Sequence, residues 1–246
     1  MSMLAGKTAV VTGGSRGIGR AIVERLASDG ARVLFSFHAN DSLAAEVVDV
    51  VASKGGEASA VRVDLGRLDD VRNLFAEADE VLGELDILVN NAASGSPLAM
   101  AEVTEEQYDA MFDANAKGTF FAMQEASVRL RDFGRIINIS TINTVLPAPR
   151  NALYQGVKGA IEQFALVASR ELGARGITVN VVSPGATDTD LLRASNPPEA
   201  LEALPAYIPL GRLGQPMDIA NVVAFLASPD GGWITGQNIR AGGGLP

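Results

Sequence analysis

Cysteine is absent from the 246 residues, and histidine occurs once, as His38. No thiol means no disulfide framework, no thiolate nucleophile and no Cys/His zinc cluster, so no metal site is expected. A single imidazole disfavours Ser-His-Asp machinery. No apolar run is long enough to span a bilayer, so no membrane partner is expected. Met1–Ala5 lacks the charged start and apolar stretch of a secretory leader, which makes the cytoplasm the expected location. Basic residues are the minority: 20 Lys and Arg stand against 29 Asp and Glu, a net charge of −9. A cationic footprint for nucleic acid is therefore missing. An anionic ligand must be gripped locally, by single cations and backbone amides. Hydroxyls, lysines, amides and carboxylates are left to carry chemistry.

What is there is apolar and regularly punctuated. Hydrophobic residues make up 47% of the chain, enough for a substantial core, and no linker-like tract divides it. One domain over 1–246 is expected. Strand-like runs at Thr8–Thr12, Arg32–Phe37, Ala58–Val63, Ile87–Asn90, Arg135–Ile139, Thr178–Val182 and within Trp233–Ala241 alternate with helical periods. The helices run from the glycine turn to about Asp29, then over Leu43–Lys54, Asp70–Leu82, from Thr104 to about Arg131, Ala152–Ala174 and Pro216–Ala227. Thr104-Glu105-Glu106-Gln107 has the form of a capping box. The alternation predicts an α/β fold, a doubly wound parallel β-sheet of Rossmann type with helices on both faces. Ligands of such sheets bind beyond the carboxyl ends of the strands. Gly13–Gly19, Asp64, Asn90-Asn91, Ser140-Thr141 and Pro184-Gly185 all fall there.

Two patterns carry chemistry. Thr12-Gly13-Gly14-Ser15-Arg16-Gly17-Ile18-Gly19 lies between a strand and a helix. Such a turn brings backbone N–H groups and a helix N-terminus against a phosphate, so a nucleotide is expected there. Its T-G-x-x-x-G-x-G spacing departs from G-x-G-x-x-G. Tyr154 and Lys158 stand at i and i+4 on one helix face. A cation beside a phenol favours the phenolate, and a poised tyrosine can exchange a proton with a carbonyl or alcohol.

The glycine turn, Asn90-Asn91-Ala92, a hydroxyl pair at Ser140-Thr141, Tyr154-x-x-x-Lys158 and Pro184-Gly185 follow one another in an order that resembles the short-chain dehydrogenase/reductase family. Gly211–Pro216 and Trp233–Gln237 look like the family's C-terminal segments, so the resemblance covers essentially the whole chain. It implies that Tyr154 is the catalytic acid in reduction and the base in oxidation. Lys158 would bind the nicotinamide ribose and lower the Tyr154 pKa, and Asn115 would hold a proton-relay water. The family's carbonyl-orienting serine aligns with Thr141, with adjacent Ser140 the other candidate; the threonine methyl crowds the pocket. Ala93 stands where the family usually has glycine. Asn91 and Ala92 would line the adenosine and ribose, and Asn90 would do so too or else brace neighbouring strands. Gly13, Ser15, Arg16, Gly17, Ile18 and Gly19 would hold the cofactor phosphates.

No carboxylate stands at the end of the second strand, where an NAD site commonly has one, and Arg16 suits a 2′-phosphate. NADP(H) is therefore favoured over NAD(H). Ser36, His38 and Asn40 would add ribose or phosphate contacts, His38 being equally readable as a solvated loop residue. Asp64 and Leu65 would contact adenine. Pro184, Gly185, Thr187 and Thr189 would clamp the nicotinamide end, and about 186–209, with Leu191, Leu192, Leu204 and Tyr207, would form a substrate lid. The overall pattern looks most like 3-oxoacyl-(acyl-carrier-protein) reductases. The alternatives are a secondary-alcohol or sugar dehydrogenase and a non-catalytic cofactor sensor. The resemblance further implies a homotetramer or homodimer assembled through the long helices.

Overall fold

The computed structural model describes residues 2–95 and 97–246. Seven strands form one parallel sheet in the order β3-β2-β1-β4-β5-β6-β7. They are β1 Thr8–Val11, β2 Arg32–Phe37, β3 Glu57–Arg62, β4 Leu85–Asn90, β5 Leu130–Ile139, β6 Thr178–Pro184 and β7 Asn238–Ala241. Every residue of β1, β4 and β6 is buried, as expected for strands covered on both faces.

Two apolar layers sandwich the sheet. On one face α1 (Gly17–Ser28), α2 (Asp41–Ser53) and the helix over Pro216–Ala227 bury Ile22, Val23, Leu26, Val47, Val51, Val223 and Leu226 against Val11, Val33 and Val89. On the other, α3 (Leu68–Leu82) and two later helices bury Val71, Leu74, Phe75, Ala122 and Ala126 against Val10, Leu88, Ile136 and Val179. Each fully buried aliphatic side chain contributes roughly 1.5–3 kcal/mol against the entropy of ordering it. The order reverses between β1 and β4, which makes the crevice beyond their carboxyl ends the binding position. No helix among the described residues is long and apolar enough to cross a membrane.

The Thr104 capping box forms: the Gln107 amide N–H donates to Thr104 Oγ1 at 3.3 Å, and the Thr104 N–H donates to Gln107 Oε1 at 3.0 Å. The single helix expected from there to Arg131 is broken. It comprises α4 (Glu105–Met111), a π-helical turn over Phe112–Lys117 and α5 (Gly118–Arg129). Leu130 already belongs to β5, buried and paired with Leu85. α6 (Ala152–Glu171) ends before a 3-10 turn at Gly173–Arg175, and the last strand is confined to Asn238–Ala241. The expected lid contains two short helices, α7 (Asp190–Ser195) and α8 (Pro198–Ala203); α9 is Pro216–Ala227, with Pro216 at its first position.

Candidate active site

The glycine turn is built by close packing. A Cβ on Gly13 would lie 2.8 Å from Ala92 Cα, and one on Gly14 2.6 Å from Phe35 Cβ. On Gly19 it would lie 2.0 Å from the Gly13 carbonyl oxygen. Gly13 and Gly17 have φ of 69° and 54°, a region natural to glycine. The start of α1 carries no side-chain cap and no acidic residue in its first turn, so its N–H groups and dipole are available to an anion. Ser15, Arg16 and Ile18 flank that opening, with Arg16 exposed.

Several residues expected to touch a cofactor take part in internal hydrogen bonds around this turn. Asn91 Nδ2 donates to the carbonyls of Thr12 and Gly13, both at 3.0 Å. Thr12 Oγ1 accepts from the N–H groups of Asn91 and Ala92 at 3.0 and 3.1 Å. Thr12 was not singled out from sequence, although it opens the glycine motif. Ser36 is buried, and its Oγ accepts from the Gly13 N–H at 3.2 Å, so it braces the turn from beneath. Asn40 Oδ1 caps α2 by accepting from the Leu43 N–H at 3.1 Å. Asp64 Oδ1 accepts from the Gly66 N–H at 2.9 Å, while Leu65 packs against Gly118. His38 is exposed beyond β2, where Asp41 is paired with Arg62. Asn90 Nδ2 donates to Asn138 Oδ1 at 2.8 Å within the core, the strand-bracing alternative.

The residues expected to carry the chemistry come from separate elements. Asn115 sits in the π-helical turn, fully buried, with its Nδ2 donating to the Met111 carbonyl at 2.8 Å and its Oδ1 accepting from the Ser94 N–H at 2.9 Å. A π-turn adds a residue and turns the following side chains inward; such turns cluster at functional sites. Tyr154 and Lys158 stand in the first half of α6, with the ammonium 5.7 Å from the centre of the phenol ring. Lys158 is 2% exposed, and its Nζ donates to the Ile139 carbonyl at 2.7 Å, tying the helix to the end of β5. Gly95 lies between Met111 and Tyr154: a Cβ there would be 3.2 Å from each.

Thr141 and Ser140, the two candidates for orienting a carbonyl, differ in their hydrogen bonding. Ser140 is buried, and its hydroxyl donates to Glu162 Oε1 at 2.6 Å. Thr141, partly exposed at the strand end, accepts only from the Asn143 N–H, at 3.2 Å, among the described residues. Its hydroxyl proton is therefore free to be donated.

Burial sets the titration of the pair. It pushes the Tyr154 phenol up to about 12, contrary to the lowering expected from a neighbouring ammonium. Desolvation of the phenol is the cause; Lys158 lies 5.7 Å from the ring centre and donates to the Ile139 carbonyl. Burial pushes Lys158 down to about 8, against the opposing charge of Glu162.

Beyond β6, the Gly185 N–H donates to the Ala241 carbonyl at 3.0 Å, next to buried Pro184. Thr187 Oγ1 donates to the Gly185 carbonyl at 3.0 Å, and Thr189 Oγ1 caps α7 by accepting from the Leu192 N–H at 3.2 Å. Thr189 also faces the glycine turn, its Cγ2 lying 3.4 Å from where a Gly17 Cβ would be. Leu191 and Tyr207 are exposed along the segment that follows, whereas Ile208 is buried.

A family model described as enoyl-(acyl carrier protein) reductase matches residues 13–246. A hydroxynaphthalene reductase-like protein of Metarhizium majus is 41% identical over 254 residues, covering 98% of this chain and 95% of that one. The structure of a short-chain dehydrogenase/reductase from Serratia marcescens superposes with a TM-score of 0.94 at 38% identity, covering 98% of each chain. That of the angucycline C-6 ketoreductase LanV with bound NADP superposes with a TM-score of 0.93 at 46% identity, covering 99% of this chain and 96% of LanV.

Proposed function

Because the chain belongs to the short-chain dehydrogenase/reductase family, we propose that it reduces a ketone with NADPH, using Tyr154, Lys158, Thr141 and Asn115. The observation that carries this reading is the convergence at the end of β5 of a buried lysine, a neighbouring phenol and a hydroxyl with an unspent proton.

The cofactor fits the residues present. The α1 N-terminus offers uncapped N–H groups to a pyrophosphate, and exposed Arg16 stands beside it. After β2 the next carboxylate along the chain, Asp41, is paired with Arg62. These features support NADP(H), as does the NADP bound to LanV. When bound, NADPH supplies the hydride. Thr141 donates a hydrogen bond to the substrate carbonyl oxygen and orients it. Tyr154, held protonated by burial, donates its proton to that oxygen as negative charge develops. Lys158 offers its remaining protons to the ribose hydroxyls and to the phenol oxygen, and Asn115 holds a water behind it for proton resupply. Thr187 and Thr189 clamp the nicotinamide end, and 186–209 closes over the substrate, excluding water.

The substrate proposed is a 3-oxoacyl thioester or a related small carbonyl compound. The four-residue step from Tyr154 to Lys158 argues against enoyl reduction, where the family uses a longer separation. The relatives favour a second reading, a cyclic ketone of the kind named in the ketoreductase and hydroxynaphthalene reductase. The initial rate of NADPH consumption with an acetoacetyl thioester, and separately with a cyclic ketone such as a tetralone, tests the two. Turnover of neither substrate overturns the reductase reading.

The protein is further proposed to act in the cytoplasm as a homotetramer or homodimer. Gly156 and Gly159 on α6 have open space where a Cβ would stand, and Phe120, Leu166 and Val167 are exposed on α5 and α6, as a helix-to-helix contact between copies requires.

A further inference from the structure

One ionisable group beside the reacting pair has no part in the steps above. Glu162 lies one turn beyond Lys158 on α6, half-buried, and accepts the Ser140 hydroxyl proton at 2.6 Å. That length lies at the short end of O–H···O hydrogen bonds. Ser140 separates Ile139, whose carbonyl receives the Lys158 ammonium, from Thr141, whose hydroxyl has a proton to give. One carboxylate thus acts on both partners of the α6–β5 junction. A cavity of about 120 Å³, lined by Glu162 with Gln163, Leu166, Gln237 and Asn238, reaches it from the β7 side. A space of that size and polarity admits water to the carboxylate.

We propose that Glu162 is a positioning residue of this site, fixing the end of β5 through Ser140 and balancing the charge of the buried Lys158 ammonium. The proposal rests on the reading of Tyr154 and Lys158 as the reacting pair.

The surroundings of Lys158 leave Glu162 as its counter-charge. On its own helix the groups facing Lys158 are Tyr154 and Glu162. β6 and the turn Ile142–Thr144 carry no ionisable side chain. Asp113 and Lys117 of the π-helical turn pair with each other at 3.1 Å. Glu105, Glu106 and Asp109 of α4 are exposed. On α5, Glu125 and Arg129 pair at its far end, and the charges of β5, Arg131, Asp132 and Arg135, lie at the end of that strand remote from Ile139. Burial favours the neutral amine, and Glu162 opposes it.

The test is the pH dependence of kcat in Glu162→Gln, Glu162→Asp and Ser140→Ala, with Tyr154→Phe alongside. The glutamine keeps an oxygen for Ser140 and removes the charge. Lys158 then loses its proton at lower pH, and the high-pH limb of kcat moves down by roughly half to one pH unit. The ratio of variant to wild-type kcat therefore falls between about pH 6 and about pH 9. Glu162→Asp keeps the charge and leaves the limb in place even where its shorter reach lowers kcat. Ser140→Ala lowers kcat several-fold at every pH without moving the limb. A limb in Glu162→Gln that coincides with the wild type, or one that moves equally in Glu162→Asp, overturns the proposal while Tyr154→Phe remains inactive. Should Glu162→Gln not fold, the aspartate variant carries the test alone, and a moved limb there is the contrary result. Turnover that survives Tyr154→Phe overturns the underlying reading, and this one with it.

Discussion

Replacing Gly19 by alanine should damage fold and cofactor binding together, because the glycine turn has no room for a methyl group. A Cβ on Gly19 would stand 2.0 Å from the Gly13 carbonyl oxygen and 2.5 Å from Asn91 Nδ2. Neither can retreat freely: Asn91 Nδ2 donates to that same carbonyl and to Thr12 O, both at 3.0 Å. Alanine gains about 1 kcal/mol in helix propensity over glycine. Against this stand overpacking, roughly 1–3 kcal/mol, and two weakened hydrogen bonds of about 1 kcal/mol each. The expected balance is a loss of roughly 2–4 kcal/mol, which for a chain of this size lowers Tm by roughly 4–16 °C. Displacement of Gly13 also tilts the N–H groups offered to the phosphates, so NADPH affinity should fall at least about tenfold, equivalent to about 1.4 kcal/mol. Gly156→Ala is the control, since no heavy atom lies within 4 Å of its Cβ position. Thermal melting and a titration of NADPH fluorescence read both effects. A Gly19→Ala protein that melts with the wild type and binds NADPH equally well would refute the packing argument.

Two further outcomes follow from charge. Arg16→Ala should weaken NADPH about tenfold and leave NADH nearly unchanged, because an exposed guanidinium matters only to the cofactor bearing a 2′-phosphate; paired binding titrations at low salt check it. At the opposite end of the sheet, burial pushes the Asp86 carboxyl up, but bonds from Arg131, Lys7 and the Thr8 N–H outweigh it and hold the pKa below 3.8. A depressed carboxylate pKa contributes stability that is fully present above the unfolded value and lost as pH falls through the folded one. Asp86→Asn should therefore cost about 1–3 kcal/mol at neutral pH, with its lysine and arginine partners partly solvated. Denaturant melts should show the gap to wild type closing as pH drops below about 4.

The sheet was legible because its strands are written in β-branched runs between glycine stops. Arg32–Phe37 and Pro216–Ala227 have the same bounds in sequence and structure. The π-helical turn at Phe112–Lys117 was not, since a bulge leaves the apolar period of the flanking helices almost intact. Nor does the sequence show which polar residues at strand ends hold the turns in shape. Asn91, Ser36 and Asn40 look alike as polar residues at strand ends; only the fold spends them on Gly13, Thr12 and the start of α2. The rise of the Tyr154 pKa follows from burial, which spacing along a helix does not report. Glu162 escaped notice because its partner Ser140 lies on another element.

The most direct test of the central claim is Tyr154→Phe, measured for both NADPH binding and NADPH-dependent ketone reduction. The account predicts that NADPH affinity stays within about twofold while turnover falls by about 10²-fold or more, the loss of a positioned proton donor. A phenylalanine variant that reduces the ketone at the wild-type rate would contradict it.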